Sequence, residues 1–355
     1  MKQELDLTQI VAPLLAWYDR EARVLPWRDN PQPYRVWVSE IMLQQTRVEA
    51  VKPYFERFLQ ALPTVADLAA APEDTLLKLW EGLGYYNRVR NLQKAAQRMV
   101  SEYGGQVPSQ YEQLLALPGF CEYTAGAVAS IAYAQPVPAV DGNVLRVIAR
   151  LTADACNVLD VKVKKQITEA VRQVIPQTRA GDFNQALMEL GATVCLPNGA
   201  PLCGRCPLAH LCLGHRQGVA DSLPVKQKKK PRVVEERTVF LIACKGKAAL
   251  RRRPAKGLLA GLWELPSVTG ALSWEEACRQ LREWGLDADR VHTLHDAKHI
   301  FTHREWHMTA FSVRVHEPAK DFVWASEQEL NEQYTLPSAF KAYINFLKDL
   351  ISVDI

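Results

Sequence analysis

The residue set with the most specific spacing is Cys195-x7-Cys203-x2-Cys206-x5-Cys212, four sulfurs within eighteen residues. Four thiolates so close in the chain can close around one inorganic centre. A four-cysteine zinc site usually has two short C-x2–4-C pairs, and here only one gap is short. A cubane with four corners tolerates uneven gaps, so the spacing favours a [4Fe–4S] cluster, with zinc as the alternative. Two carboxylates also stand out. Glu40 lies in the apolar run Trp37–Met42 with no basic residue at i±3 or i±4, where Trp37, Val36, Leu43 and Gln44 stand. If that face is buried, the carboxyl is costly to ionise and is prepared as a general acid; if it is exposed, Glu40 is an ordinary surface residue. Asp141 precedes the helical stretch Asn143–Leu151, so it reads as an N-cap whose hydrogen bonds would lower its pKa. An acid paired with a fixed anion suits cleavage of a glycosidic bond through an oxocarbenium-like state. Leu117-Pro118-Gly119, running into the Thr124–Ala134 helix, would present free backbone N–H groups to a phosphate.

The elements that must position these groups divide into two regimes. Up to about residue 215 the pattern is helical. Ser109-x-x-Glu112 reads as a capping box, Pro53 suits a first helical turn, Tyr86–Tyr103 stops at Gly104-Gly105, and Asp182–Leu190 stops at Gly191. Beyond Lys226–Pro231, Thr238–Cys244 and Ala248–Leu250 read as a β-hairpin, Trp274–Trp284 as an amphipathic helix and Trp306–Val315 as a strand. The expected organisation is an all-α domain over 1–220 with the cysteine loop at 195–212, a basic linker at 221–232, and an α+β domain over 233–355.

Length and charge agree. The 355 residues suit more than one core, and 48% apolar with 23% charged residues is a globular balance. Net charge is only +4, but residues 221–256 hold twelve Lys/Arg against three acids, leaving the rest at −5. That stretch is either a footprint for a polyanion or a solvated linker. Neither a secretory h-region nor an apolar run of about 20 residues is visible, so a reducing cell interior without membrane insertion is expected. There the remaining cysteines, Cys121, Cys156, Cys244 and Cys278, read as small core residues. His210 and His215 read as bystanders to the cysteine site. The histidines between His292 and His316 fall on both faces of an alternating stretch, Phe301–Phe311, and are not expected to gather a metal.

Hairpin, aspartate and cysteines together resemble the helix–hairpin–helix DNA glycosylases with an iron–sulfur loop, the endonuclease III superfamily. Within it Pro26-Trp27-Arg28, Ser39–Thr46, Gly82-Leu83-Gly84-Tyr85-Tyr86 and Met188–Ala192 look like the adenine DNA glycosylase (MutY-type) family. The resemblance implies that Glu40 protonates a flipped adenine at N7, that Asp141 stabilises the sugar cation, and that Asn143 orients the carboxylates. Tyr123 occupies the place of the lysine that makes related enzymes strand-cleaving. A phenol forms no Schiff base, so a monofunctional enzyme is implied. Arg28 and Gln185 would surround the adenine, Gly119 would contact a phosphate, and Gln45 and Tyr85 would wedge into the base stack beside Leu43 and Thr46. Gly261–Pro266 resembles a Nudix strand, and aligning the Nudix helix on Gly285-Leu286 leaves only Glu283 of its metal-binding glutamates. Phe301-Thr302-His303 resembles the loop that reads 8-oxoguanine opposite the adenine. Two departures are the x7 cysteine gap, where x6 is commoner, and Cys121 where a glycine is usual; a positive φ there would strain Cys121.

The implied protein is multidomain: an all-α helix–hairpin–helix glycosylase domain with a [4Fe–4S] loop, then an α+β Nudix-like domain. It would act as a monomer on double-stranded DNA containing adenine opposite 8-oxoguanine or guanine, in the cytoplasm at the nucleoid if bacterial, with replication or repair partners unidentified. The alternatives are a glycosylase for another base such as thymine, a DNA-binding redox sensor that would not need Glu40, and a nucleotide pyrophosphatase that the lost glutamates disfavour.

Overall fold

The computed structural model describes residues 5–227 and 231–352; Lys228, Lys229 and Lys230 of the basic linker lie outside them. Two compact units emerge. Met1–Ala71 with Arg88–Lys228 forms the first, and Pro72–Asn87 with Lys229–Ile355 the second.

The first unit is helical. Its core gathers Ile10, Leu14 and Trp17 from the N-terminal helix region, Val147 and Ile148 from the Gly142–Leu151 helix, and Phe183 and Leu187 from the Ala180–Thr193 helix. Ile10, Leu14 and Trp17 recur at three- and four-residue spacing and make one buried stripe. The Gly142–Leu151 and Ala180–Thr193 helices are instead buried on nearly every side and form the centre of the unit. Buried Asn184 then fixes the extended segment leading to Asp141: its amide donates to Val137 O (2.9 Å) and Ser130 Oγ (2.9 Å), and its oxygen accepts from Ala139 N (3.0 Å).

Three local expectations change. The Val48–Ala61 helix starts well before Pro53, which sits inside it. The buried stripe Val51, Phe55 and Phe58 outweighs the missing N–H. Ser109 is no N-cap, because the helix begins at Tyr111 and Ser109 O is held by Gln135 Nε2 at 2.7 Å. Gly191 does not end its helix, which continues to Thr193. It is instead a contact point, since a Cβ there would meet Asn143 Cβ at 2.5 Å.

The second unit is a mixed sheet with helices on both faces. Its strands are β1 (Val233–Cys244), β2 (Lys247–Arg252), β3 (Trp263–Glu264), β4 (Ser267–Thr269), β5 (Ala288–Ile300), β6 (Arg304–Val315) and β7 (Val323–Ala325). The order is β3-β2-β1-β6-β5, with β4 beside β1 and β7 beside β2; β1 and β6 are parallel and the other pairs antiparallel. Alternation along β1 sends Val239, Leu241 and Ala243 to a core shared with the Lys341–Ser352 helix. Phe240, Ile242 and Cys244 go to one shared with the Trp274–Glu283 helix. Lys245 and Gly246, with φ of +49° and +71°, make the expected hairpin turn. Phe301-Thr302-His303 is the turn between β5 and β6 rather than part of a strand. The Glu73–Leu79 helix joins this unit through Lys78 Nζ, which donates to Leu330 O (3.0 Å) and Tyr334 O (3.3 Å). Glu81 in turn accepts Leu336 N–H at 2.7 Å.

Of the four scattered cysteines only Cys244 is buried; Cys121 and Cys156 are exposed and Cys278 is partly so. Cys121 is the N-cap of a helix, Cys156 sits in a bend, and Cys278 lies on a helix that buries Ala277 and Leu281 instead. Among the described residues no helix is long and apolar enough to cross a membrane.

Candidate active site

A cavity of about 640 Å³ in the first unit is lined by Glu40, Asp141, Tyr123, Asn143, Arg28, Gln185, Leu43, Gln45, Thr46 and Gly119. All of these were singled out in the sequence. The Pro33–Leu43 helix carries Glu40 on a face so apolar that the residue is only 5% exposed. Burial is the main cause that pushes its carboxyl up to about 7. The Tyr123 hydroxyl donating to Oε2 and the Arg28 charge pull the other way, and the Asp141 charge adds to the rise. Half of such groups are neutral near pH 7, the condition for a general acid. Tyr123 sits in the first turn of the Glu122–Tyr133 helix, 3.4 Å from Met188 Sδ. Burial and the neighbouring Glu40 and Asp141 charges push its phenol well above 10, so it stays neutral.

Asp141 caps the Gly142–Leu151 helix as expected. Oδ1 accepts from Asn143 N and Val144 N at 2.8 Å each, and Oδ2 accepts from Asn143 Nδ2 at 2.6 Å. The expected lowering of its pKa is overturned. Burial raises it above the ordinary value despite those bonds and Arg146, because desolvation of the anion outweighs three donors. Arg146 orders this corner: Nη2 donates to Asn143 Oδ1 and Gly191 O, and Nε to Cys195 O, each at 2.8 Å. The hairpin residue Gly119 adopts φ +78°, and a Cβ would meet Asn91 Cβ at 2.8 Å, so glycine is required there. Cys121 does not need one. It is the N-cap of its helix at φ −124°, an ordinary extended conformation.

Glu189 also lines the cavity, 1% exposed, and sequence reasoning assigned it no role. Arg23 grips it through Nε (2.6 Å) and Nη2 (2.9 Å), and Arg28 Nη2 adds a third bond at 2.9 Å. Burial alone would raise its pKa, but the two guanidiniums together hold it below the usual range. Arg28 Nε also donates to Gln185 Oε1 at 3.2 Å, so the wall combines donors and acceptors. The test that picks out Glu40 also finds Glu189: Gln185, Ala186, Ala192 and Thr193 offer no base at i±3 or i±4. No comparable sequence signal marks Arg23 or Arg146.

The other assigned residues lie elsewhere. Cys195, Cys203, Cys206 and Cys212 line one small apolar cavity with Val147, Leu151, Leu190 and Val194. Arg150 Nη1 stands 3.3 Å from Cys195 Sγ, and His215 N–H donates to Cys212 Sγ at 3.4 Å. Burial pushes Cys206 up to about 12 and raises Cys212 too. Gly199, at φ +77°, turns the chain within the longer first gap. Tyr85, Phe301, Thr302 and His303 belong to the second unit. Tyr85 and Thr302 share a hydroxyl–hydroxyl hydrogen bond of 2.8 Å, and Phe301 packs edge-on against Trp306 at 4.9 Å.

Residues 38–177 match the HhH-GPD superfamily of base excision DNA repair proteins, and residues 238–346 match the NUDIX domain. An adenine DNA glycosylase of Rattus norvegicus is 38% identical over 356 residues, covering 84% of this chain and 69% of its own. One from Buchnera aphidicola subsp. Acyrthosiphon pisum is 32% identical, with 85% of each chain covered. Among solved structures, a thermostable thymine-DNA glycosylase has a TM-score of 0.54 at 28% identity, covering 59% of this chain and 96% of its own. An endonuclease III–DNA complex has a TM-score of 0.51 at 25% identity, covering 61% and 98%. With relatives at 32–38% identity matching across both units, the chain belongs to the adenine DNA glycosylase family of base-excision repair enzymes.

Proposed function

We propose that the chain is a monofunctional glycosylase that extrudes adenine from double-stranded DNA, where it is mispaired with 8-oxoguanine or, less tightly, guanine. It then hydrolyses the N-glycosyl bond. The observation that carries this is the shared cavity of Glu40 and Asp141, one carboxyl still half-protonated near pH 7 and the other fixed by a helix cap. Glu40 donates its proton to adenine N7 as the C1′–N9 bond breaks and its electron pair leaves with the base. The resulting cation at C1′ faces Asp141, which Asn143 and Arg146 hold in place. Glu40, now a carboxylate, takes a proton from the water that bonds to C1′, which restores the acid. Tyr123 offers no amine, so no covalent adduct forms and the abasic strand is left intact.

Arg28 and Gln185 line the adenine side of the cavity, and the left-handed Gln45 (φ +57°), with Leu43 and Thr46, forms the lip that enters the stack. Gly119 leaves the hairpin amides open to a phosphate. Tyr85 also wedges into the stack, and the Phe301-Thr302-His303 turn, whose Thr302 hydrogen-bonds Tyr85, reads the 8-oxoguanine. Cys195, Cys203, Cys206 and Cys212 would hold a [4Fe–4S] cluster, which cross-links the loop when bound. The fit is one of donor type: four sulfurs line an apolar cavity, and burial favours the thiol form of three of them, Cys203, Cys206 and Cys212, unless a metal displaces the proton. Among the described residues, no three such groups already stand close enough to hold a metal ion. The protein acts as a monomer, within the cytoplasm at the nucleoid if bacterial. The test is base release from duplexes with adenine opposite 8-oxoguanine, guanine, cytosine or thymine, with and without alkali. Fast release opposite 8-oxoguanine, slower opposite guanine, and breaks only after alkali are expected. Preference for another pair overturns the reading.

A further inference from the structure

The Pro33–Leu43 helix delivers Glu40 and then stops without a glycine to cap it; Gln45 takes a left-handed conformation that a side chain disfavours. What holds this ending is a side chain from the start of the Asn87–Tyr103 helix. Arg88 Nη1 donates to Ile41 O (2.8 Å), Met42 O (3.0 Å) and Gln44 O (2.6 Å), and Nη2 reaches Thr46 Oγ1 at 3.3 Å. One cation thus gathers the carbonyls at the negative end of the helix dipole and the hydroxyl beyond the turn. Thr46 N–H closes the turn onto Leu43 O at 3.2 Å.

We infer that Arg88 is a positioning residue for base extrusion. It fixes Gln44–Thr46 in the shape that enters the DNA stack before DNA arrives, so the loop need not be ordered during binding. The inference rests on the proposed role of Gln45 and adds to it a dependence on a residue outside the cavity lining. A forked guanidinium can serve the carbonyls and Thr46 together, whereas lysine offers a point charge to the carbonyls alone.

The test uses the full chain with its cluster and compares wild type, Arg88→Lys and Arg88→Ala. Single-turnover adenine release is measured from a paired adenine:8-oxoguanine duplex and from a duplex with the adenine opposite an abasic analogue, where unstacking is cheaper. A 2-aminopurine beside the target reports extrusion. Arg88→Ala is expected to lose about tenfold or more on the paired duplex, as for charge-assisted hydrogen bonds, with a weaker fluorescence rise. On the unpaired adenine the loss should shrink to about threefold or less, and Arg88→Lys should fall between. The pH profile set by Glu40 should stay unchanged. Equal losses on both duplexes, or no loss on either, overturn the inference. If Arg88→Ala does not fold, Arg88→Lys carries the same comparison. Failure of wild type to release adenine from either duplex would instead sink the proposed function, and the 2-aminopurine signal would still test Arg88.

Discussion

Glu40→Gln should raise stability and abolish base release in the same molecule. Moving this carboxyl from an ordinary 4.5 to about 7 costs the folded state about 3 kcal/mol once the group is ionised in both folded and unfolded chains. The folded state holds the proton more tightly, so the cost is absent below pH 4.5, grows between 4.5 and 7, and is complete above 7. Glutamine fills the same space without charge and still accepts from Tyr123, though more weakly, by about 1 kcal/mol. The net gain at pH 8 is about 2 kcal/mol, which raises the melting temperature of a unit of about 200 residues by roughly 4–8 °C. Calorimetry on the full chain at pH 8 and pH 5 would show this advantage at pH 8 and its near disappearance at pH 5. Mismatch binding should persist while release is lost. Equal melting of both proteins at both pH values would mean that Glu40 is solvated, and near-normal release would remove it as the acid.

Two further outcomes follow from the geometry. Gly191→Ala would push a methyl to 2.5 Å from Asn143 Cβ, so it should displace Asn143 and Asp141; single-turnover release should fall at least about tenfold while duplex affinity changes little. Unchanged release would show that the corner relaxes freely. Tyr123→Lys places an amine in the cavity beside Glu40 and should yield a DNA adduct trapped by borohydride; absence of any adduct would move position 123 away from the sugar.

Some features were legible because their causes are local. Asp141 as a cap needs only a short polar side chain before a helix. The turn at Lys245-Gly246 needs only residues that tolerate positive φ. Glu40 is marked by neighbours within one helical turn. Misreadings arose where distant contacts overrule local preference. Pro53 is carried inside a helix by a buried stripe. Gly191 serves an approach to Asn143 rather than a helix end. Ser109 gives its carbonyl to Gln135 and caps nothing. Arg23 and Arg88 were not legible, because their partners are an acid and backbone oxygens far along the chain. Arg146 was not, because its bond to nearby Asn143 gains meaning only with the distant carbonyls of Gly191 and Cys195.

The amino-acid order by itself determined which groups can do the chemistry: two carboxyls in contrasting local settings, a phenol in place of an amine, and four sulfurs at cluster-like spacing. Only the tertiary structure decided how those groups behave. Burial, which belongs to the assembled cavity, lifts Glu40 to about 7 and raises Asp141 against its own hydrogen bonds. Desolvation depends on every element packed around a charge, and no stretch of neighbouring residues encodes that sum.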